Sequence, residues 1–314
     1  MNIRVVDLAQ FTNGDEAQKK AFVAQLGKAY EDVGFVAVKN HGIPKELIAD
    51  LYKHVQQFFS LPLEQKRKYE IPELAGQRGY TSFGKEHAKG SDAPDLKEFF
   101  QYGQTVPIDH PLKPEYPDNV KVKEVAGFDD TIFNSYRAFE KSGKSLLQAI
   151  AIYLSLDENY FDNYVEQGNS IVRAIHYPPI THEPKSAIRA EQHEDINLIT
   201  LLVGASAGGL EILTKANEWV GVTSLPDQIV VNVGDMLQRL TNNKLKSTTH
   251  RVVNPPRVLW HTSRFSIPFF LHPKSAMNLS CLADCIDEGH PKLYQDITAG
   301  EYLDERLREI GLKK

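Results

Sequence analysis

Cysteine is nearly absent: only Cys281 and Cys285 occur among 314 residues. Two cysteines this close, with no paired histidines near them, form neither a zinc knuckle nor a disulfide framework. A reducing, cytoplasmic setting is therefore expected. An excess of positive charge is also missing. With 36 basic against 41 acidic residues the net charge is −5, and no basic stripe offers a grip on a phosphate backbone, so nucleic acid is not an expected partner. Long apolar runs are lacking as well. The opening MNIRVVDLAQF has no basic region leading into an apolar stretch, and nothing approaches the roughly 20 apolar residues of a membrane span. No membrane partner is expected, and no internal repeat or low-complexity segment appears.

What remains is an ordinary globular composition, 41% hydrophobic and 25% charged. A chain this long buries roughly 75% of the surface that its unfolded form exposes, so neither metal nor disulfide is needed merely to hold it together. The first part alternates strands and helices. Ile3 to Leu8 reads as a short strand. After Asn13-Gly14-Asp15, the residues Phe22, Leu26, Tyr30 and Val33 recur at helical spacing until Gly34 stops them. GFVAVKNHG reads as a strand, and Pro44 opens a second helix whose stripe includes Leu51, Val55, Phe58 and Phe59. Residues 70 to 125 read as irregular, with RGYTSFG and DLKEFFQYG as edge strands. A long helix carrying Ile132, Tyr136, Phe139, Leu146, Leu147, Ile150 and Leu154 follows.

From Ser170 the pattern turns to short β-rich runs: SIVRAIHYP, HEDINLITLLVGA, GGLEILT, QIVVNVGDM, STTHRVVNP and RFSIPFFLH. Their spacing of roughly 8–12 residues suits an all-β sandwich or barrel. A last helix, AGEYLDERLREIGL, ends the pattern. The expected architecture is a β-barrel or jelly roll packed against N-terminal helices. Two regions are expected, 1–120 and 121–314, the second with its core at about 168–275, forming one compact unit.

One strand is unusual. EQHEDINLITLL should wall a core, yet it opens with Gln192, His193, Glu194 and Asp195. Side chains two apart on a strand share a face, which sets His193 and Asp195 together with Asn197 and Ile199. An imidazole and a carboxylate so placed are two ligands for a divalent metal, or a hydrogen-bonded pair. His250, 57 residues on in KSTTHRVVNP, is the candidate third ligand. Two histidines and one carboxylate on one side of a metal leave its other positions open, as in non-haem Fe(II) oxygenases. SRFSIPFF adds Arg264 and Ser266 on one face. A guanidinium inside a barrel needs an anion. That anion is either an internal Asp or Glu or a bound carboxylate, which a fork and a hydroxyl suit well.

The order HEDINLITLL, GGLEI, VVNVGDMLQRLTNNKLKSTTHRVVNP and RFSIPFF resembles the isopenicillin N synthase-like family of Fe(II)/2-oxoglutarate-dependent dioxygenases. VVDLAQF and AYEDVGFVAVKNHGIPKELIADLYKHVQQFFSLPLEQK look like that family's N-terminal region, so the resemblance covers nearly the whole chain. It implies a double-stranded β-helix (jelly roll) with supporting helices. It also implies Fe(II) on His193, Asp195 and His250, and 2-oxoglutarate anchored by Arg264 and Ser266. Tyr177 stands where relatives often place a tyrosine on that carboxylate, or it simply lines the barrel. Many plant members carry Asn two residues before it, and this chain has Ile175. The implied reaction uses dioxygen to decarboxylate 2-oxoglutarate to succinate and carbon dioxide, coupled to hydroxylation, desaturation or ring closure of a small molecule. Tyr80 and Phe100 match positions that line the family's pocket, or pack beneath a loop.

Other residues read more simply. GASAGGLEI lacks the Lys-Ser/Thr of a phosphate loop and reads as a hairpin turn. His176 should point away from the lumen. Arg173 should be paired, and Asp235 looks like a turn aspartate. An oxidase like isopenicillin N synthase, which uses no 2-oxoglutarate, is the competing function. A barrel that binds without catalysing is a third. A monomer or weak dimer is expected.

Overall fold

Strands and helices alternate at the N-terminus because the apolar spacing switches between two and three or four. The computed structural model describes residues 3–86, 94–204, 206–223 and 225–309. Strands β1 (Val5–Asp7) and β2 (Phe35–Lys39) run parallel, joined by the helix Glu16–Asp32. Asp15 starts that helix: its carboxylate accepts the Gln18 N–H at 2.9 Å while the Gln18 side chain accepts the Asp15 N–H. Phe22, Leu26 and Tyr30 line its buried face. Gly34 turns the chain into β2 at φ +74°, and a Cβ there would lie 2.3 Å from the Lys246 carbonyl oxygen. The helix Lys45–Phe59 follows Pro44 and buries Leu51, Val55, Phe58 and Phe59.

The remaining strands are β3 (Gly79–Thr81), β4 (Glu98–Gly103), β5 (Ile171–Tyr177), β6 (Ala190–His193), β7 (Ile199–Val203) and β8 (Leu210–Leu213). They continue as β9 (Trp219–Gly221), β10 (Gln228–Val233), β11 (His250–Val252) and β12 (Arg264–Leu271). Eight of the twelve form a large sheet in the order β1-β2-β10-β7-β12-β5-β4-β3, and four form a small one in the order β6-β11-β8-β9. From β5 onward the chain steps between the sheets at nearly every connection, which is the winding of a jelly roll. GASAGGLEI is therefore not a hairpin turn. It carries the chain from β7 in the large sheet to β8 in the small one. DLKEFFQYG is not an edge strand either, since β4 pairs with both β3 and β5.

Two small apolar clusters fill the space between the sheets. Phe35, Ala37 and Val230 of the large sheet meet Leu210 and Ile212 of the small one. Phe99, Ile175 and Tyr177 meet Ala190 and Val252. The outer face of the large sheet packs on the long helix Phe128–Tyr153, whose Phe139 stacks on Phe269 at 5.5 Å between ring centroids. β1 and β2 from the N-terminal region pair into the same sheet as β10. Residues on both sides of position 120 thus build one sheet.

A buried polar knot ties the N-terminal helices to this sheet. Glu98 accepts two hydrogen bonds from Lys66 Nζ (2.8 and 2.9 Å), one from the Tyr80 hydroxyl, and stands 2.7 Å from His176 Nδ1. Burial alone would raise its carboxyl, but the bonds from His176, Lys66 and Tyr80 outweigh that and hold it below its ordinary range. His176 stacks on Phe265, on the opposite face of β5 from Tyr177, so it lies outside the lumen as expected. Glu98→Ala strands the Lys66 ammonium, and we expect a loss of about 3–5 kcal/mol in urea unfolding. A loss no larger than that of a surface substitution, about 0.5 kcal/mol, contradicts this role.

Candidate metal and co-substrate site

Three metal-type side chains meet where the chain crosses between the sheets. β6 and β11 are antiparallel neighbours with His193 directly opposite His250, and their ring centroids lie 4.4 Å apart. Asp195 does not arrive by strand alternation. β6 ends at His193 and β7 begins at Ile199, so residues 194–198 form a link from the small sheet to the large one. Backbone bonds pin that link: Asp235 N–H donates to the Asp195 carbonyl (2.9 Å), and Met236 N–H to that of Asn197 (3.1 Å). Gly234 permits the close approach, because a Cβ there would fall 2.1 Å from Asn197 Oδ1.

The result is a converging set of lone pairs. Asp195 Oδ1 lies 3.9 Å from His193 Nε2 and 3.7 Å from His250 Nε2. One ligand atom from each residue lies within 4.8 Å of the others. Each Nδ1 faces a backbone carbonyl, of Glu191 at 2.7 Å for His193 and of Thr248 at 3.0 Å for His250. A carbonyl can only accept, so Nδ1 carries the proton and Nε2 presents its lone pair inward. Asp195 Oδ2 is occupied, accepting from Thr200 Oγ1 (2.6 Å) and Asn232 Nδ2 (2.8 Å), which leaves Oδ1 for the centre. This donor set fits a divalent metal with open positions.

Protonation agrees with that use. Burial pushes Asp195 up, but His250, His193 and the bonds from Asn232 and Thr200 outweigh it and hold the carboxyl below its usual range. For His193, burial and then neighbouring His250 lower the imidazole to about 4. That lowering keeps the ring neutral at neutral pH, with its lone pair free for a metal. Thr200 and Asn232 escape a reading based on metal-ligand types. Asn232 has a visible signal, a lone amide amid the buried valines of QIVVNVGDM. Asn232→Ala should lower ferrous affinity by about 10–100-fold in an anaerobic competition with a chelator. Unchanged affinity contradicts this support.

Arg264 opens β12 opposite Tyr177, and Ser266 lies two residues on opposite Ile175. Both are buried, Arg264 to 1% exposure. Its Nε donates to the carbonyls of Ala207 and Gly208, each at 3.1 Å, and its Nη1 has no partner. Its guanidinium lies 5.0 Å from the Tyr177 ring centre. Among the described residues no carboxylate lies within 4.0 Å of Arg264, so the alternative of an internal ion pair is not realised. Arg189, which sequence reasoning passed over, is also buried, 5.9 Å from the same ring; its Nη2 donates to the Thr262 carbonyl at 3.2 Å, and among the described residues no carboxylate lies within 4.0 Å of it. Burial, with Arg264 adding to it, pushes Arg189 down to about 10.

A cavity of about 560 Å³ opens beside His193 and Asp195. Arg173 lines it and is paired as expected, with Glu86 at 3.2 Å and Gln101 Oε1 at 2.9 Å. Tyr80 and Phe100 do not line it. Both are buried against Phe58 on the helical side of the sheet. Strand parity is the reason, for Phe99 and Gln101 take the opposite face of β4. Asp235 is not a turn aspartate. It begins the helix Asp235–Leu240, is buried, accepts from the Tyr302 hydroxyl at 2.8 Å, and is raised to about 7 by burial.

Comparison with known proteins agrees over the full length. A family model described as non-haem dioxygenase in morphine synthesis N-terminal matches residues 3–124, and one described as 2OG-Fe(II) oxygenase superfamily matches residues 168–273. The chain is 35% identical to proline hydroxylase buaE of Petromyces alliaceus, covering 98% of this chain and 99% of that protein. It is 31% identical to the 2-oxoglutarate-Fe(II) type oxidoreductase ppzD of Metarhizium majus, covering 97% and 94%. The crystal structure of a 2OG-Fe(II) oxygenase family protein from Caulobacter crescentus superposes with a TM-score of 0.89 at 40% identity, covering 98% and 99%. A full-length Neurospora crassa protein crystallised in complex with alpha-KG gives 0.86 at 30% identity, covering 97% and 95%. Matches of this extent on both sides of the helix Phe128–Tyr153 place the chain in the 2OG-Fe(II) oxygenase superfamily, as an isopenicillin N synthase-like, Fe(II)/2-oxoglutarate-dependent dioxygenase.

Proposed function

We propose that His193, Asp195 and His250 hold the ferrous ion, and that Arg264 and Ser266 take the far carboxylate of 2-oxoglutarate. The observation that carries this reading is the Arg264 guanidinium, buried with an idle Nη1 and, among the described residues, no carboxylate within 4.0 Å. A bound dianion supplies the missing charge, with a fork for its two oxygens and a hydroxyl beside them. Tyr177 contributes its ring face to Arg264 and a wall to the lumen. Iron and 2-oxoglutarate together supply the oxidising power: with dioxygen, 2-oxoglutarate becomes succinate and carbon dioxide as one oxygen atom is inserted into a substrate C–H bond.

This chain's residues do the rest. The backbone carbonyls of Glu191 and Thr248 fix the imidazole tautomers, while Thr200 and Asn232 orient the carboxylate. The walls of the cavity position a small molecule beside them. Hydroxylation is the proposed outcome, in a monomer or weak dimer. Among relatives, one is named a proline hydroxylase, and the full-length Neurospora crassa protein is also described in complex with alpha-KG and thymine. A compact polar substrate of that size range suits the cavity here. Cys281 and Cys285 are both free, which suits a reducing cytoplasm. Among the described residues no helix is long and apolar enough to cross a membrane.

The test is turnover of 2-oxoglutarate by the purified chain with ferrous ion and dioxygen. Succinate should appear only with iron present. Chelation should abolish it, and ferrous ion should restore it while Mg²⁺ does not. Oxidation of a genuine substrate without 2-oxoglutarate consumption points instead to the isopenicillin N synthase type of oxidase.

A further inference from the structure

The cavity beside the candidate metal centre holds four long cationic side chains, and three have acid partners. Lys97 meets Glu86 at 2.7 Å and Asp95 at 2.8 Å, Arg173 meets Glu86, and Arg306 meets Glu309 at 2.6 Å. Arg239 is different. Among the described residues no carboxylate lies within 4.0 Å of it; Asp296, within electrostatic reach, is paired with Lys292, and the Arg239 Nε is buried without a hydrogen-bond partner. It is nonetheless held in place. The Tyr294 and Tyr302 rings lie 5.0 and 5.3 Å from its guanidinium, and its Nη2 donates to the Gln295 carbonyl. A fork fixed in this way costs little further ordering when an anion arrives.

Its position couples it to the chemistry. Arg239 stands on the same helix as Asp235, whose N–H grips the Asp195 carbonyl at 2.9 Å. Four residues of helix rise about 6 Å, so the Arg239 backbone stands roughly one turn from Asp235, and the side chains of both line the cavity that His193 and Asp195 also line. The acid nearest along the helix, Asp235, is engaged by the Tyr302 hydroxyl. Apolar side chains complete the chamber, among them Ile171, Phe270 and Leu303.

We propose that Arg239 receives a carboxylate of the primary substrate, so that this chain oxidises a small carboxylic acid in preference to a neutral analogue. The inference rests on the reading of the metal and 2-oxoglutarate site given above. Bound through its acid group, the substrate lays its apolar body across Phe270 and Ile171 and offers a nearby C–H bond to the metal centre. The pairing is charge-assisted and bidentate, which an amide of the same shape cannot reproduce.

The experiment uses the full chain without dioxygen, loaded with ferrous ion and 2-oxoglutarate, and follows the visible charge-transfer band of that complex. Probes are L-proline, pipecolic acid, 3-phenylpropanoic acid and hexanoic acid, each beside its primary amide. At least one acid should perturb the band with an affinity at least about tenfold above that of its amide. Arg239→Met should erase that difference, and Arg239→Lys should keep a reduced one, each read against its own unperturbed band. Equal affinities for acid and amide in the unsubstituted chain overturn the proposal, and so does a panel in which no acid perturbs the band. An acid preference that survives in Arg239→Met overturns it too. If the band never forms in the unsubstituted chain, the underlying reading of the site fails, and this one fails with it.

Discussion

His193→Ala abolishes ferrous binding and 2-oxoglutarate turnover while leaving the fold intact. The proposed site has three ligand atoms, of which His193 would supply one from the open end of β6. Removing it leaves His250 and Asp195, a bidentate remnant. Changes to residues that merely orient ligands cost about 10–100-fold in affinity or activity, so losing a ligand itself should exceed that range. The fold should survive because His193 is the most exposed of the three and carries little of the core. Metal content by elemental analysis and succinate release are the two readouts. Near-normal turnover in iron-replete buffer rejects the ligand assignment.

Arg264→Lys raises the apparent constant for 2-oxoglutarate with a smaller effect on iron affinity. Arg264 Nε is committed to the carbonyls of Ala207 and Gly208, which fixes the plane of the guanidinium and leaves Nη1 buried without a partner among the described residues. A lysine keeps the charge but is a single point with no fork. It cannot hold both carbonyls and both carboxylate oxygens at once. Hydrogen bonds to charged groups contribute about 1.5–3 kcal/mol, which corresponds to roughly 10–150-fold in the constant. The β5–β12 pairing should tolerate the change, since the register that sets Arg264 opposite Tyr177 is a backbone ladder and does not depend on the side chain. An unchanged constant moves the co-substrate anchor away from Arg264, and Arg189 is then the next residue to test.

Much of this site is legible in the sequence, though not always by the stated route. That His193 and His250 lie on separate short β-rich runs is legible, whereas their placement opposite each other on antiparallel neighbours is not. The proximity of Asp195 follows from the residue types, whereas its geometry does not. Strand alternation places it on the face of His193, but the chain leaves β6 there and crosses between sheets. A period of two cannot reveal such a crossing, because the apolar run resumes in the second sheet without a break in pattern. The same blindness makes GASAGGLEI look like a hairpin turn.

Helices read more securely, since Phe22, Leu26 and Tyr30 repeat with the turn and the capping residue Asp15 precedes them. Tyr80 and Phe100 show the opposite limit. The two are register partners on β3 and β4, and a shift of one residue along either strand decides whether a side chain faces the helices or the opposite face, where Gln101 lines the cavity. Arg239 carries no local signal at all. That no carboxylate of the described residues lies within 4.0 Å of it emerges only when the helix Asp235–Leu240 and the C-terminal segment come together.

The most direct measurement is an anaerobic titration of ferrous ion into the chain saturated with 2-oxoglutarate, followed by the visible band of the chelate. The expected band saturates at one iron per chain and is lost in His250→Ala. A band of equal strength in His250→Ala, or none in the unsubstituted chain, contradicts it.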